Sequence, residues 1–524
     1  MAKRDFKLLA IESFSGGLNY RTDQFDLASN ESPDLLNVDV DPRGGVTMRE
    51  GVDRRNPTAL SADVKGMWGF HTDGGTNQLL VNYGTSVAYS SSADFTAFTN
   101  ITARTDGSRC YGTTFNNVAY GVSYDQPSFK WDGTTDDDLG SAYGAAGNMP
   151  QAQYITEWNN FVFVGHVYDG AAYKSRLQWS ASNDAETWAA SDYVDISKGE
   201  HGDYITGLVP AGDRLIIFKS NSIYAMFGFD SDTFQIVQVS PNVGSIPLSS
   251  PVNTPFGVFF WHGRRGVHVV GSSGAVSVFD KLQPAIDDGR ITFGNAPQLA
   301  WDKGRLHVSV DWTEDGSTTR RVLIYDPSLG EAGAWTVTDI DAGPMHVLTP
   351  PDGDPILFGG CVTNTGSVIA IGDDEDRITD RYLGSTETHI SSHFRTPWMT
   401  SRNPIVKKRW GRPHLVTLAG SSLDLGIKVY RDFDMAEPYK EFNVSIEGRD
   451  STSVYDTATW QDAEGTVGDG VWGSSAQAVI TDVLRLPTLG TARAISMRID
   501  GPVSTNNSWE VNAVTFSYLP RRMR

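Results

Sequence analysis

Two histidines four residues apart, His389 and His393 in the run HISSH, come nearest in this chain to a metal-ligand spacing. A zinc protease needs a glutamate after the first histidine and a helix to bring both rings to one face. Here Ile390 follows, and the flanking residues favour a strand, in which positions i and i+4 stand about 13 Å apart. The run Asp373–Asp376 (DDED) offers carboxylates, but glycoside hydrolysis needs two of them held about 5–9 Å apart across a substrate. Four adjacent acids read as a charged loop instead. Asp136–Asp138, in TTDDDLG, lack the alternating spacing and the glycine of a calcium loop and read as a solvated turn. His201 and His262 read as packed or surface residues. There is no Gly-x-Ser-x-Gly elbow and no phosphate loop. Cys110 and Cys361 lie too far apart for a disulfide framework or a metal cage and read as buried thiols. The residues therefore assign no catalytic group, no metal and no cofactor, and the chain is expected not to be an enzyme. One cluster suits a partner: Lys407, Lys408 and Arg409 beside Trp410, either a contact for an acidic neighbouring subunit or a solvated strand end.

The elements carrying these residues follow a repeat. Its clearest copy is Gly212–Phe227, GDRLIIFKSNSIYAMF, an apolar strand, a polar turn and a returning strand. Related stretches align on Leu79, Val118, Phe161, Leu215, Val258, Leu306 and Ile356, at steps of 39 to 54 residues by difference of those numbers. Recurrence at roughly 40–50 residues in a chain of short strands is the signature of a β-propeller with one four-stranded blade per repeat. The fold expected is all-β, a propeller of about seven blades followed by a C-terminal β-sandwich of jelly-roll type. Residues 1–57 form an N-terminal arm, 58–384 the propeller and 385–524 the sandwich. A ring must close or leave a blade edge unpaired, and Leu36–Arg49 is the strand expected to complete the last blade. Asn30–Pro33 reads as a helix start, and Asp41–Gly45 (DPRGG) as a reversal. In the C-terminal part, Leu425, Ile427 and Val429, and again Ile495, Met497 and Ile499, alternate with other residues as in half-buried strands.

Two stretches resemble known families. Leu177–Trp188, LQWSASNDAETW, is similar to the Asp-box of sialidase-like propellers, matching at Ser182, Asp184, Thr187 and Trp188, with Glu186 in place of the box glycine and one residue missing. The resemblance implies a structural hairpin that packs its tryptophan and does no chemistry. The N-terminal segment carries Gly16, Gly17, Leu18, Asn19, Ser32, Pro33, Leu36, Asn37, Asp41, Gly45, Val46, Arg49 and Gly51. This series resembles the start of propeller-bearing virion proteins of tailed phages, the tail nozzle, head-completion and minor tail types. The resemblance implies structural roles for Gly16, Gly17, Asn37, Gly45, Arg49 and Gly51.

Charge and composition narrow the function further. Net charge is −20, which disfavours DNA binding by counterion release and suits a surface that DNA slides past. No apolar run reaches the 18–20 or so residues of a membrane span, and MAKRDFKLLAIESFSGG reads as no signal peptide. The expectation is a viral tail protein, made in the host cytoplasm and located in the virion. It would assemble with copies of itself in a ring and with neighbouring tail proteins, meet exiting DNA only passively during ejection, and bind no specific nucleic-acid sequence. The alternatives are a glycan- or receptor-binding propeller at the tail tip, drawing on 14 Trp and 19 Tyr, and a glycosidase-like enzyme.

Overall fold

The computed structural model describes residues 6–92, 94–104, 109–141, 146–197, 202–271, 274–330, 333–350, 353–373, 377–383, 386–401, 403–419, 423–446, 480–502 and 508–520. They form two compact units. One contains Glu50–Pro327 and Thr338–Glu387, the other Met1–Arg49, Ser328–Val337 and Thr388–Arg524. Among the described residues the regular secondary structure is strand apart from two short helical turns, Gly263–Arg265 and Gln283–Asp287.

The larger unit is a β-propeller, a series of seven antiparallel sheets in chain order. The first sheet is Val64–His71, Asn77–Tyr83, Ser86–Ser90 and Phe98–Ala103; the second is Tyr111–Phe115, Val118–Ser123, Gln126–Trp131 and Asp136–Asp138. The third is Gln151–Trp158, Phe161–Tyr168, Ala172–Trp179 and Tyr193–Asp195, and the fourth Ile205–Ala211, Arg214–Lys219, Ile223–Phe227 and Gln235–Ser240. Val252–Thr254, Gly257–Trp261, Val267–Gly271 and Gly274–Ser277 make the fifth; Gln298–Asp302, Arg305–Glu314 and Ser317–Asp326 form the core of the sixth. Met345–Leu348, Ile356–Gly360 and Val368–Ile371 begin the seventh. All seven residues on which the repeat was aligned lie on the second strand of their sheet, the position where alternating apolar side chains pack both ways. In the second and third sheets the first hairpin turns on Asn116-Asn117 and Asn159-Asn160, with φ of 48° and 64°, and 50° and 62°. Asparagine tolerates this left-handed pair, whose twist matches that of the strands it joins.

Apolar clusters fill the space between consecutive sheets. Phe115, Val122, Ile155, Val164 and Trp188 join the second and third, and Phe163, Leu177, Ile205, Leu215 and Met226 the third and fourth. Val64, Leu79 and Val81 of the first sheet share a cluster with Leu348, Phe358 and Val368 of the seventh.

Three expectations change. The strand added to the seventh sheet is Val52–Arg54, not Leu36–Arg49: it pairs antiparallel with Val368–Ile371 and meets Arg381 of Thr379–Leu383 in parallel. Val38–Val40 and Val46–Met48 instead form a hairpin whose second strand pairs with Glu510–Pro520 in the other unit's own sheet. Asn30–Pro33 starts no helix, because Glu31–Ser32 is held in parallel pairing with Gly17–Leu18. Asp136–Asp138 is not a turn but the exposed outer strand of the second sheet, opposite Phe129–Trp131.

The smaller unit has two main antiparallel sheets. One is built around Glu510–Pro520, with Lys7–Ile11, Val46–Met48, Lys408–Trp410 and His414–Ala419 beside it. The other places Ile495–Asp500 between His393–Arg395 and Leu423–Arg431. Leu425, Ile427, Val429, Ile495, Met497 and Ile499 are all buried, as their alternation predicts.

Candidate functional site

In an antiparallel sheet the start of the first strand lies beside the end of the second and the turn into the third. Side chains from several propeller sheets converge at that end. Arg109, just ahead of the second sheet, donates from Nη1 to the carbonyl oxygen of Leu248 at 2.7 Å and from Nη2 to Oε1 of Gln298. Leu248 precedes the fifth sheet and Gln298 opens the sixth. Gln298 donates to the same Leu248 oxygen at 2.8 Å and to that of Ala296 at 2.9 Å. The Tyr154 hydroxyl, from the third sheet, accepts the Leu248 N–H at 3.2 Å. One arginine, one glutamine and one phenol thus tie the starts of four sheets together. Burial raises the pKa of both Tyr111 and Tyr154, so each stays a neutral phenol. Close by, Arg320 and Asp311 form a buried ion pair at 2.8 Å, and Asp311 also accepts the Asn295 N–H.

From this knot an aromatic track leads outward. The rings of Tyr111 and Tyr154 stand 5.1 Å apart, and Tyr154 is 6.5 Å from His166. His166 contacts Tyr124 at 5.0 Å and Tyr204 at 5.6 Å; Tyr124 reaches Tyr168 at 5.7 Å. The Lys174 ammonium stands 5.8 Å from the Tyr204 ring centroid. These residues come from the first strand and a turn of the second sheet, three strands of the third and the entry to the fourth. His166 has φ of 58° at a bulge between Gly165 and Val167, a strained setting for a residue with a side chain. Its Nδ1–H donates to the Ile205 carbonyl at 3.3 Å, which leaves Nε2 as an acceptor. Burial lowers its pKa, so the ring is neutral near pH 7. Tyr168 is 39% exposed.

The residues singled out in the sequence lie elsewhere. Asn37, with φ of 54°, accepts from Arg49 Nε at 2.9 Å and donates to the Ser391 carbonyl at 2.7 Å, and both residues are buried. A Cβ at Gly16 would strike Glu31 and Asn30, at Gly45 Asn512, and at Gly51 the Thr379 carbonyl; Gly17, at φ +62°, lies against the Trp335 backbone. In the Asp-box stretch, Asp184 Oδ1 accepts the Glu186 N–H at 2.9 Å and buried Trp188 donates to the Ala185 carbonyl at 2.8 Å. Ser182 is exposed. Glu186, where the box has glycine, holds Lys130 at 2.9 Å and so links the second and third sheets. The basic-aromatic cluster needs correction as a contact surface. Lys407 and Arg409 are exposed, but Lys408 and Trp410 are buried. Lys408 Nζ donates to the carbonyls of Asn403, Val406 and Arg493, and Trp410 Nε1 to that of Ala492. His393 contacts Asp34 at 3.1 Å. Asp373 is paired with Arg55; residues 374–376 and His201 lie outside the described residues. Cys110 and Cys361 are both buried. Sequence reading missed Arg109 and the aromatic track, whose members stand together only after the sheets are stacked.

No family model and no curated protein matches the chain. Among solved structures, it is similar to a streptogramin B lyase at 9% identity, covering 62% of this chain and 97% of that one, with a TM-score of 0.37. It is similar to YCF48 bound to D1 peptide at 10% identity, 64% and 97% coverage and a TM-score of 0.38. A catalytically inactive virginiamycin B lyase from Staphylococcus aureus with quinupristin is similar at 11% identity, 61% and 99% coverage and a TM-score of 0.35.

Proposed function

We propose that this chain is a structural component of a tailed-phage virion, a tail protein of nozzle, hub or minor tail type that acts by assembly. In this reading the seven sheets are the blades of a closed propeller, with Val52–Arg54 as the closing strand. The two sheets of the other unit are the layers of a β-sandwich. The observation that carries the functional reading is the use made of the N-terminal motif: Asn37 and Arg49 are buried and bonded to each other within the framework. A motif spent on framework contacts suits a scaffold. The apolar cluster shared by the first and seventh sheets supports ring closure.

In a seven-membered ring the fifth and sixth sheets stand opposite the second, so Arg109 spans the axis. The propeller's own channel is then barred, and exiting DNA would run through a lumen formed by several subunits. There the −20 charge of each copy repels the backbone rather than binding it. Lys407 and Arg409 remain as exposed cations for an acidic neighbour. The reading is tested by light scattering and negative-stain microscopy of the purified full chain. Rings of defined copy number are expected; a strict monomer at every concentration and salt, alone and with neighbouring tail proteins, overturns assembly as its role.

A further inference from the structure

The outer half of the aromatic track has a feature that framework packing does not explain. Tyr124, His166, Tyr168 and Tyr204 touch one another through their edges, with interplanar angles of 73°, 71° and 69°. Tyr124, His166 and Tyr204 are half-buried rather than sealed, and Tyr168 and Lys174 are exposed. His166 sits among them in a left-handed bulge, with Nδ1 bonded to the Ile205 carbonyl and Nε2 without a partner among the described residues. A strained residue that presents a neutral acceptor between tyrosines is the arrangement of a recognition site. It joins ring faces, phenol hydroxyls, an imidazole acceptor and an ammonium donor. The charges around it are mixed, exposed Lys174 over Tyr204 against exposed Asp125 and Asp169, which follow Tyr124 and Tyr168 in the chain, and a mixed rim does not select a strongly charged ligand.

We propose that this rim binds a neutral saccharide, with a pyranose face laid on the exposed Tyr168 ring and its edge against Tyr124, a sugar hydroxyl donating to His166 Nε2, and Lys174 donating to a ring or hydroxyl oxygen. The C–H face of a sugar ring is apolar and its rim is dense in hydroxyls, so it uses both halves of such a site. The inference does not depend on the virion reading; failure of one leaves the other standing.

The test is saturation-transfer NMR and titration calorimetry on the full chain, with neutral trisaccharides of glucose, galactose and N-acetylglucosamine, a sialylated trisaccharide and a short oligothymidylate as probes. At least one neutral trisaccharide is expected to bind. Tyr168→Ala, at an exposed position that leaves the fold intact, is expected to weaken it about ten-fold. His166→Asn keeps a residue that accepts positive φ while removing the imidazole acceptor, and is expected to weaken binding by a similar factor with little change in melting temperature. Three results overturn the proposal: no neutral saccharide binds, binding is unaffected by both substitutions, or the oligothymidylate or sialylated probe binds more tightly with the same tyrosine dependence.

Discussion

Asn56 is where the anchoring of the N-terminal strand in the seventh sheet can be measured. It follows Val52–Arg54, is 1% exposed, and makes three hydrogen bonds. Its amide nitrogen donates to the Gly366 carbonyl at 2.8 Å and the Thr58 carbonyl at 3.0 Å, and its amide oxygen accepts the Val368 N–H at 2.8 Å. Asn56→Ala removes all three and strands the Val368 N–H in buried surroundings, while the Gly366 carbonyl keeps the Leu60 N–H at 2.9 Å. Leaving that buried donor unmade costs about 1–3 kcal/mol, and each of the two lost bonds to carbonyls adds about 0.5–1 kcal/mol, so the substitution costs about 2–5 kcal/mol. At about 2 °C per kcal/mol for a unit of this size, calorimetry of the full chain should show one transition lowered by about 4–10 °C. Hydrogen exchange should rise in peptides covering 52–56 and 366–371, since those backbones share the lost bonds. Asn221→Ala, at an exposed turn position, should change stability by less than about 0.5 kcal/mol. A shift below about 2 °C, or new exchange confined to other sheets, would refute the assignment of this strand.

Three further outcomes follow from buried groups. Trp188→Ala empties a fully buried site and should cost about 3–5 kcal/mol by denaturant unfolding, whereas Ser182→Ala should be within about 0.5 kcal/mol. Lys408→Ala removes the donor to three carbonyls and should cost about 2–4 kcal/mol, while Arg409→Ala, its exposed neighbour, leaves the melting temperature unchanged. Burial lowers the pKa of His307 to about 3 and of His346 to about 4. Both folded values lie below the unfolded value near 6.5, so the unfolded chain takes up protons first and stability falls as pH drops through 6.5 toward 4. The slope is about 1.4 kcal/mol per pH unit for each histidine. His307→Leu should therefore flatten the fall in melting temperature between pH 6 and 4 relative to the unchanged chain, and an identical slope would contradict the neutral buried ring.

Much of the propeller is legible in the sequence because its repeat is written in packing residues. Leu79, Val118, Phe161, Leu215, Val258, Leu306 and Ile356 all mark second strands, and Asn116-Asn117 and Asn159-Asn160 mark the turns that precede two of them. Strand partners are less legible. Val38, Val40, Val46 and Met48 alternate just as Val52 and Arg54 do, and alternation announces a strand without naming its neighbour. That is why Leu36–Arg49 reads as well as Val52–Arg54 for the strand added to the seventh sheet. The Lys407–Trp410 cluster shows the converse: its period of two already puts Lys408 on the face of Trp410, and the buried indole takes the lysine inward with it. Arg109, Leu248 and Gln298 carry no spacing signal, since they meet only through the order of the sheets. Tyr124, His166, Tyr168 and Tyr204 escape for the same reason; a glycine inside a strand, Gly165, is the one local mark of the bulge at His166.

The central claim, a structural part of a virion, is tested most directly by quantitative mass spectrometry of phage particles purified from a culture that produces this chain. The account predicts the full chain in every particle, at a fixed copy number that fits a ring and matches the other tail proteins. Particles that are complete and infective with the chain absent, while it persists in the lysate, would contradict it.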